Sequence, residues 1–191
     1  MKACEFVALT QVNGSSKWAN TKWLRNHLKG VISLSFDHID SFVKAAYTVI
    51  ETMLSPHVEA GKPFFVDEPL QKYPVCVLVG VLGDLQGQVI CGMDEKTATG
   101  IISQMLMTEV KEIDKMGESA ICELKNIIVG TASTNLSLVG YHCNITPPLF
   151  IMGGVIPDFL KHIHTALAIP IQTPFGSVDI NLALRKDEIR S

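Results

Sequence analysis

The segment 117–153 of this chain, GESAICELKNIIVGTASTNLSLVGYHCNITPPLFIMG, decides the fold class. Apolar residues recur at helical spacing to about position 139, which predicts an amphipathic helix with one face on a core. This predicted core stripe consists of Ile121, Leu124, Ile128, Ala132, Leu136 and Val139. The residues that follow predict short strands near His142–Ile145 and Leu149–Met152. The sequence therefore predicts a long helix that leads directly into a sheet.

A row of polar side chains lies on the opposite face of the predicted helix. Ser119, Glu123 and Asn126 are spaced Ser-x-x-x-Glu-x-x-Asn. Because a helix advances about 100° per residue, steps of four and three return to the same face. Gly130 and Ser133 continue this face with little bulk, so another protein can approach it closely. The spacing alone also fits a solvated helix face without chemistry, and it leaves both interpretations open.

A longer string around this row resembles a known protein family. The string SAICELKNIIVGTASTNLSLVGYHCNITPP resembles the second-half motif of the CheC/CheX/FliY family of chemotaxis phosphatases. That motif is Asp/Ser-x-x-x-Glu-x-x-Asn, then a small-residue helix, a short strand and an Ile-Thr-Pro-Pro-like turn. Ser119, Glu123 and Asn126 occupy the three motif positions, and Ile145–Pro148 is the turn. The resemblance spans about residues 37–185, and the single motif copy is similar to CheX rather than CheC.

The resemblance implies a phosphatase that hydrolyses the aspartyl phosphate of a phosphorylated CheY-like receiver domain, ending a chemotaxis or related two-component signal. It implies that Asn126 orients the attacking water and that Glu123 pairs with a lysine of the receiver. Ser119 and Gly130 would contact the partner. The Mg²⁺ ion would belong to the receiver, so this chain would need no metal or cofactor of its own. The alternative is a non-catalytic module that binds a receiver or serves as a scaffold.

Composition narrows the class of protein further. With 191 residues, of which 47% are hydrophobic and 18% charged, the chain suits one globular domain with a sizeable core. It contains no run of about eighteen apolar residues and no evident secretion signal. Five scattered cysteines without a C-x-x-C pair favour reduced thiols in a cytoplasm. The net charge of -3 argues against a general nucleic-acid binder.

The charge distribution predicts a boundary near Phe36. Residues 1–36 hold five basic residues and one acidic residue, whereas residues 37–191 hold 11 basic and 18 acidic residues. We therefore divide the chain into an N-terminal extension, 1–36, and a CheX-like domain, 37–191. The extension contains a predicted basic helix with Trp18 and Trp23, which fits a membrane surface, an acidic partner or packing on the domain. We favour packing, because burial is the commoner use of tryptophan.

The remaining elements predict an α+β domain with helices layered on a mixed, largely antiparallel sheet. The predicted helices besides the motif helix are Asp37–Leu54 and about 94–107. The predicted strands are Lys62–Val66, Val75–Leu82, Gln88–Met93, Thr165–Thr173 and Val178–Arg185, with a hairpin turn over residues 83–87. His162-x-His164 has no evident third ligand nearby, so we favour surface histidines over a metal site.

A faint internal repeat accompanies these elements. The segment Lys44–Ser55 aligns with Asn126–Ser137, so each copy is a helix followed by a turn and a short strand. In this alignment Ser41 falls at the position of Glu123 and Lys44 at that of Asn126, so the first copy lacks both chemical residues. The resemblance also implies a homodimer formed through the sheets.

Overall fold

The computed structural model describes residues 34–54, 57–154 and 156–186 of the chain. The predicted helix of the N-terminal extension lies outside the described residues. The helices are α1 (Phe36–Met53), α2 (Pro69–Lys72), α3 (Glu95–Leu106) and α4 (Lys115–Leu138), with a 3-10 turn at Asp158–Leu160. The strands are β1 (Glu59–Ala60), β2 (Phe64–Asp67), β3 (Val75–Gly83), β4 (Leu85–Met93), β5 (Cys143–Ile145), β6 (Leu149–Met152), β7 (Thr165–Thr173) and β8 (Gly176–Lys186). The α+β class is confirmed, and the short helix α2 was not predicted.

The described strands form one antiparallel sheet of the order β1-β7-β8-β4-β3-β5. At one edge β1 and β2 both pair with β7, and at the other edge β5 and β6 both pair with β3. Each edge is therefore an extended segment with a break in the middle. The largely antiparallel character of the predicted sheet is confirmed, and every pairing between the described strands is antiparallel.

The internal repeat is visible in the topology. Each half of the chain contains a long helix, a broken edge segment and a hairpin of two long strands, in that order. The edge segment of the first half pairs with β7 of the second, and the edge segment of the second half pairs with β3 of the first. The two long helices, α1 and α4, pack together, and Asn135 Nδ2 donates a hydrogen bond of 3.2 Å to the Ser41 carbonyl.

The hairpin between β3 and β4 is tighter than its sequence predicts. Residues 83–87 are predicted to form the turn, but β3 ends at Gly83 and β4 begins at Leu85, so Asp84 is the sole residue between the strands. The cause is long-range pairing, because Leu85, Gln86 and Gly87 each face a residue of β8. This hairpin lies inside the sheet and has no free edge for pairing with another copy.

Alternating side chains divide the sheet into a face under the helices and an opposite face. On β3 the residues Val75, Val77, Val79 and Val81 join the main core together with residues of α1, α3 and α4. On the other face α2 and the 3-10 turn cover a smaller cluster of Leu70, Cys76, Leu78, Ile90, Ile151, Leu160 and Ile163. No described strand or helix covers the outer side of the helix layer, and this side carries the polar row of α4.

The predicted core stripe of α4 is correct except at its end. Ile121, Leu124, Ile128, Ala132 and Leu136 are all buried in the main core. Val139 is 50% exposed, because the helix ends at Leu138 and the next residue no longer follows the helical face. Burial of four large aliphatic side chains, at roughly 2 kcal/mol each, fixes α4 firmly on the sheet.

Met107 caps the C-terminus of α3, and we expect its replacement by glycine to stabilise the domain. Its backbone is left-handed, with φ 54° and ψ 33°, and the residue is 95% exposed, so its side chain offers no packing in return. Glycine adopts this conformation at no steric cost. We expect Met107→Gly to raise the free energy of unfolding by about 0.5–1 kcal/mol, measured by urea denaturation.

The control for this substitution is Gln104→Gly, at an exposed position inside the same helix. There glycine meets an ordinary helical backbone and should cost about 1 kcal/mol. A loss of stability from both substitutions would contradict the assignment of strain to Met107.

Candidate functional site

Helix α4 is a rigid platform that begins with a well-formed cap. The Asp114 carboxylate accepts a hydrogen bond of 2.8 Å from the backbone N–H of Gly117. A carboxylate at this point also interacts favourably with the positive end of the helix dipole. The helix then runs for 24 residues, which is about 36 Å at 1.5 Å per residue. Its buried face is held by the core, so its other face has a fixed orientation.

The four residues predicted for the site all lie on α4. Ser119 and Glu123 are exposed, and Asn126 and Gly130 are half-buried. Successive members of this set are three or four residues apart and share one side of the helix, away from the buried stripe. The rise of the helix places the backbones of Glu123 and Asn126 about 4.5 Å apart along its axis. The structure thus brings a carboxylate and a carboxamide together on an accessible surface.

The Glu123 carboxylate and the Asn126 carboxamide have no hydrogen bond or ion pair to any residue that the structure describes. Ser119 differs, because its Oγ donates a hydrogen bond of 2.9 Å to the Lys115 carbonyl one turn earlier. The Ser119 hydroxyl therefore offers a partner its lone pairs rather than its proton. Glu123 and Asn126 are the members of the row whose polar atoms are all available to a ligand.

Gly130 contributes open space. A Cβ built at this position would meet no atom within 4 Å, apart from the backbone of its own turn and its immediate neighbours. Packing inside the chain therefore gives no reason for a glycine at this point. The small residue instead lowers the surface of α4 directly beyond Asn126, which lets another molecule approach the helix closely.

A shallow polar groove of about 330 Å³ lies further along α4, where the helix faces strand β5. It is lined by Ser133, Thr134, Ser137, His142, Cys143 and Asn144. The Ser133 Oγ donates a hydrogen bond of 2.7 Å to the Cys143 carbonyl and so joins the two walls. The sequence places Ser133 on the polar face, but only the fold shows that β5 forms the second wall.

Sequence reasoning missed Lys125, which lies between the two site residues but points the other way. It is 1% exposed, and its Nζ has no hydrogen-bond partner among the described residues. Burial lowers the pKa of Lys125 from 10.5 to about 8. The sequence feature that could have predicted this burial is the position of Lys125, four residues after Ile121 and within the buried stripe.

Burial also raises the pKa of the half-buried Cys122, which disfavours the thiolate that a nucleophile needs.

Neither a metal centre nor a membrane span is found in the part of the chain that the structure describes. No group of three or more histidine, cysteine, aspartate or glutamate residues there is placed to hold a metal ion. His164 lies just before β7, and its Nδ1 is 2.8 Å from Glu68 Oε1 in an exposed pair. None of the described helices is long and apolar enough to cross a membrane.

Comparison with known proteins gives one consistent family. Residues 75–172 match the family described as "Chemotaxis phosphatase CheX". The chain is 27% identical over 147 residues to the CheY-P phosphatase CheX of Thermotoga maritima, covering 76% of this chain and 93% of that protein.

Solved structures agree with this match. A chain of the CheX–CheY–BeF3–Mg²⁺ complex from Borrelia burgdorferi is 31% identical, with a TM-score of 0.67, covering 80% of this chain and 100% of that chain. A CheC-like superfamily protein from Shewanella is 24% identical, with a TM-score of 0.69, covering 80% of this chain and 99% of that chain, and it supports the fold alone.

Proposed function

The chain belongs to the CheX family of chemotaxis phosphatases, and from this premise we propose that it hydrolyses the aspartyl phosphate of a CheY-like response regulator. The observation that carries the proposal is the pair of polar side chains on α4. Glu123 and Asn126 stand on an accessible face of a rigid helix, and no described residue satisfies their polar atoms. A phosphorylated receiver supplies the groups that these side chains lack.

The chemistry asks little of the protein besides positioning. Water attacks the phosphorus of the mixed anhydride, the bond from phosphorus to the aspartate oxygen breaks, and the products are a free carboxylate and inorganic phosphate. Catalysis of such a step relies on an in-line water and on neutralisation of charge. Asn126 suits the first task, because its carboxamide both accepts a hydrogen bond from the water and donates one to a neighbouring oxygen.

Glu123 is assigned the role of anchor. Its carboxylate lies one turn before Asn126, at a distance that allows it to pair with a lysine beside the receiver's phosphoryl group while Asn126 reaches the water. An ion pair that becomes covered on docking fixes the register of the two proteins. In this proposal Ser119 accepts a hydrogen bond from the receiver, and Gly130 permits its close approach.

The assembly around the site is part of the same proposal. The Mg²⁺ ion named in the Borrelia burgdorferi complex is assigned to the receiver, where it neutralises the charge on the phosphoryl group. We assign the chain to the cytoplasm as a homodimer. Because the β3–β4 hairpin has no free edge, the contact between copies is assigned to the Gly83 end of β3 on the sheet face opposite the helices, where Leu82 is 56% exposed.

The test is the loss of radiolabel from a purified phosphorylated CheY-type receiver of the same organism, with this chain in substoichiometric amount. We expect the parent protein to accelerate the loss, and Glu123→Gln to lower kcat/KM at least about 30-fold. Truncating one partner of a covered charge pair typically costs about 2 kcal/mol or more, which corresponds to that factor. No acceleration by the parent, together with tight binding of the receiver, would favour a binding module instead.

Glu118→Gln is the matched control for this experiment. Glu118 is a carboxylate of the same helix, five residues earlier and on a different side, where it pairs with Lys115 at 2.9 Å. Exposed pairs of this kind contribute little to stability. Its substitution should leave kcat/KM within about twofold of the parent, and a loss as large as that of Glu123→Gln would contradict the assigned role.

A further inference from the structure

Met116 is a large apolar side chain that the fold leaves in water. It is 64% exposed, in the first turns of α4. It lies three residues before Ser119 and seven before Glu123, so it belongs to the same side of the helix as the proposed site. Among the described residues, the other exposed large apolar side chains are Leu82, Met107, Leu138, Val139, Met152 and Phe159. Of this set, Met116 is nearest to Glu123 along the chain.

Among the described residues, no core cluster includes this side chain. The next residue, Gly117, is the one that faces α3, since a Cβ there would meet the Ile102 side chain at 3.3 Å. Consecutive residues of a helix point about 100° apart, so Met116 is directed away from that contact. Met116 is also absent from the side chains that pack against the main core. Its removal should therefore cost the domain little stability.

An interface of ordinary size that is centred on the proposed site reaches Met116. Seven residues of helix separate the backbones of Met116 and Glu123 by about 10 Å along the axis. A standard interface occupies about 800 Å² on each partner, which is a patch about 30 Å across. A receiver whose contact patch is centred on Glu123 and Asn126 extends over Met116 as well. Methionine is enriched at the centres of such patches, where its flexible thioether adapts to the partner.

We propose that Met116 is an apolar anchor for the receiver domain, which adds affinity beside the ion pair of Glu123, while Asn126 serves the reaction. This inference rests on the proposed function. The receiver would present an apolar patch about 10 Å from its phosphorylated aspartate, opposite the first turns of α4.

The experiment measures binding and turnover separately. The dissociation constant for the beryllofluoride-activated CheY-type receiver is measured by titration calorimetry, and kcat and KM are measured with the phosphorylated receiver. For Met116→Ser we expect the dissociation constant and KM to rise about 10-fold, with kcat at saturation within twofold of the parent. Met116→Leu, which keeps the apolar surface, should restore binding to within about threefold.

Phe159→Ser is the matched control. Phe159 is 65% exposed, but it lies in the 3-10 turn over the opposite face of the sheet, beside Leu160 of the smaller cluster. Its substitution should change neither constant. Parent-like binding by Met116→Ser, with saturable binding by the parent, would overturn the anchor and leave the proposed function standing. A parent protein that neither binds nor dephosphorylates the receiver would overturn both proposals.

Discussion

Asn126→Ala is expected to lower kcat for receiver dephosphorylation about 100-fold or more, while the dissociation constant for the beryllofluoride-activated receiver stays within about threefold of the parent. The carboxamide is proposed to hold the attacking water in line with the phosphorus. Removing one preorganised hydrogen-bonding group from a transition state typically costs a factor of 100 to 1,000. Affinity depends on the rest of the interface, so we expect Asn126→Ala to bind the receiver like the parent but to dephosphorylate it far more slowly.

The structure makes this substitution a clean test. Asn126 is half-buried and hydrogen-bonds to no described residue, so alanine leaves no polar group of the chain without its partner. Alanine also has the highest helix propensity, so α4 remains intact. A substituted protein with a parent-like kcat would remove Asn126 from the mechanism.

Asn135→Ala provides the control on the same helix. The Asn135 carboxamide is committed to the fold, because its Nδ2 donates a hydrogen bond of 3.2 Å to the Ser41 carbonyl of α1. Its loss should lower the free energy of unfolding by about 1 kcal/mol without changing kcat. The two substitutions remove the same chemical group. We expect Asn126→Ala to lower kcat alone and Asn135→Ala to lower the free energy of unfolding alone.

The sequence predicts the positions of Glu123 and Asn126 on the fold better than it predicts the strands around them. The positions of Glu123 and Asn126 follow from local geometry, since a helix of fixed period carries both to one face wherever it lies. The strand from Leu85 to Gly87 depends instead on pairing with β8, about 100 residues later in the chain. Such pairing overrides the preference of Gly83 and Gly87 for a turn, and it cannot be predicted from the local sequence pattern.

Lys125 shows a second limit of reading residues by type. A lysine among apolar residues is assigned to solvent, because charged side chains are seldom fully buried. Helical spacing nevertheless places it in the buried stripe with Ile121 and Ile128, and the fold surrounds its ammonium group with the core. For Glu123 and Asn126 the sequence predicts the position but not the role, because the role depends on contacts with a receiver domain that is a separate protein.

Lys125→Met is expected to raise the free energy of unfolding by about 3 kcal/mol at pH 7. Burial lowers the pKa of Lys125 from 10.5 to about 8, and this fall corresponds to about 3 kcal/mol in favour of the uncharged form. Cys91 gives no compensation, because burial raises the pKa of its thiol to about 11 and keeps it neutral at pH 7. Methionine retains the length and apolar stem of lysine without the charge, and such replacements often stabilise.

The pH dependence gives this prediction its sign and its control. Between pH 8 and 10.5 the unfolded chain binds the proton of Lys125 and the folded protein does not, so the contribution of Lys125 to the stability of the parent rises with pH in this window. The advantage of Lys125→Met should therefore be largest below pH 8 and shrink towards pH 10.5 in urea denaturation. Lys115→Met, at a side chain that is 93% exposed on the same helix, should change stability by less than about 0.5 kcal/mol. An advantage of Lys125→Met that grew with pH would show that the ammonium group is stabilised in the fold, contrary to its burial without a partner.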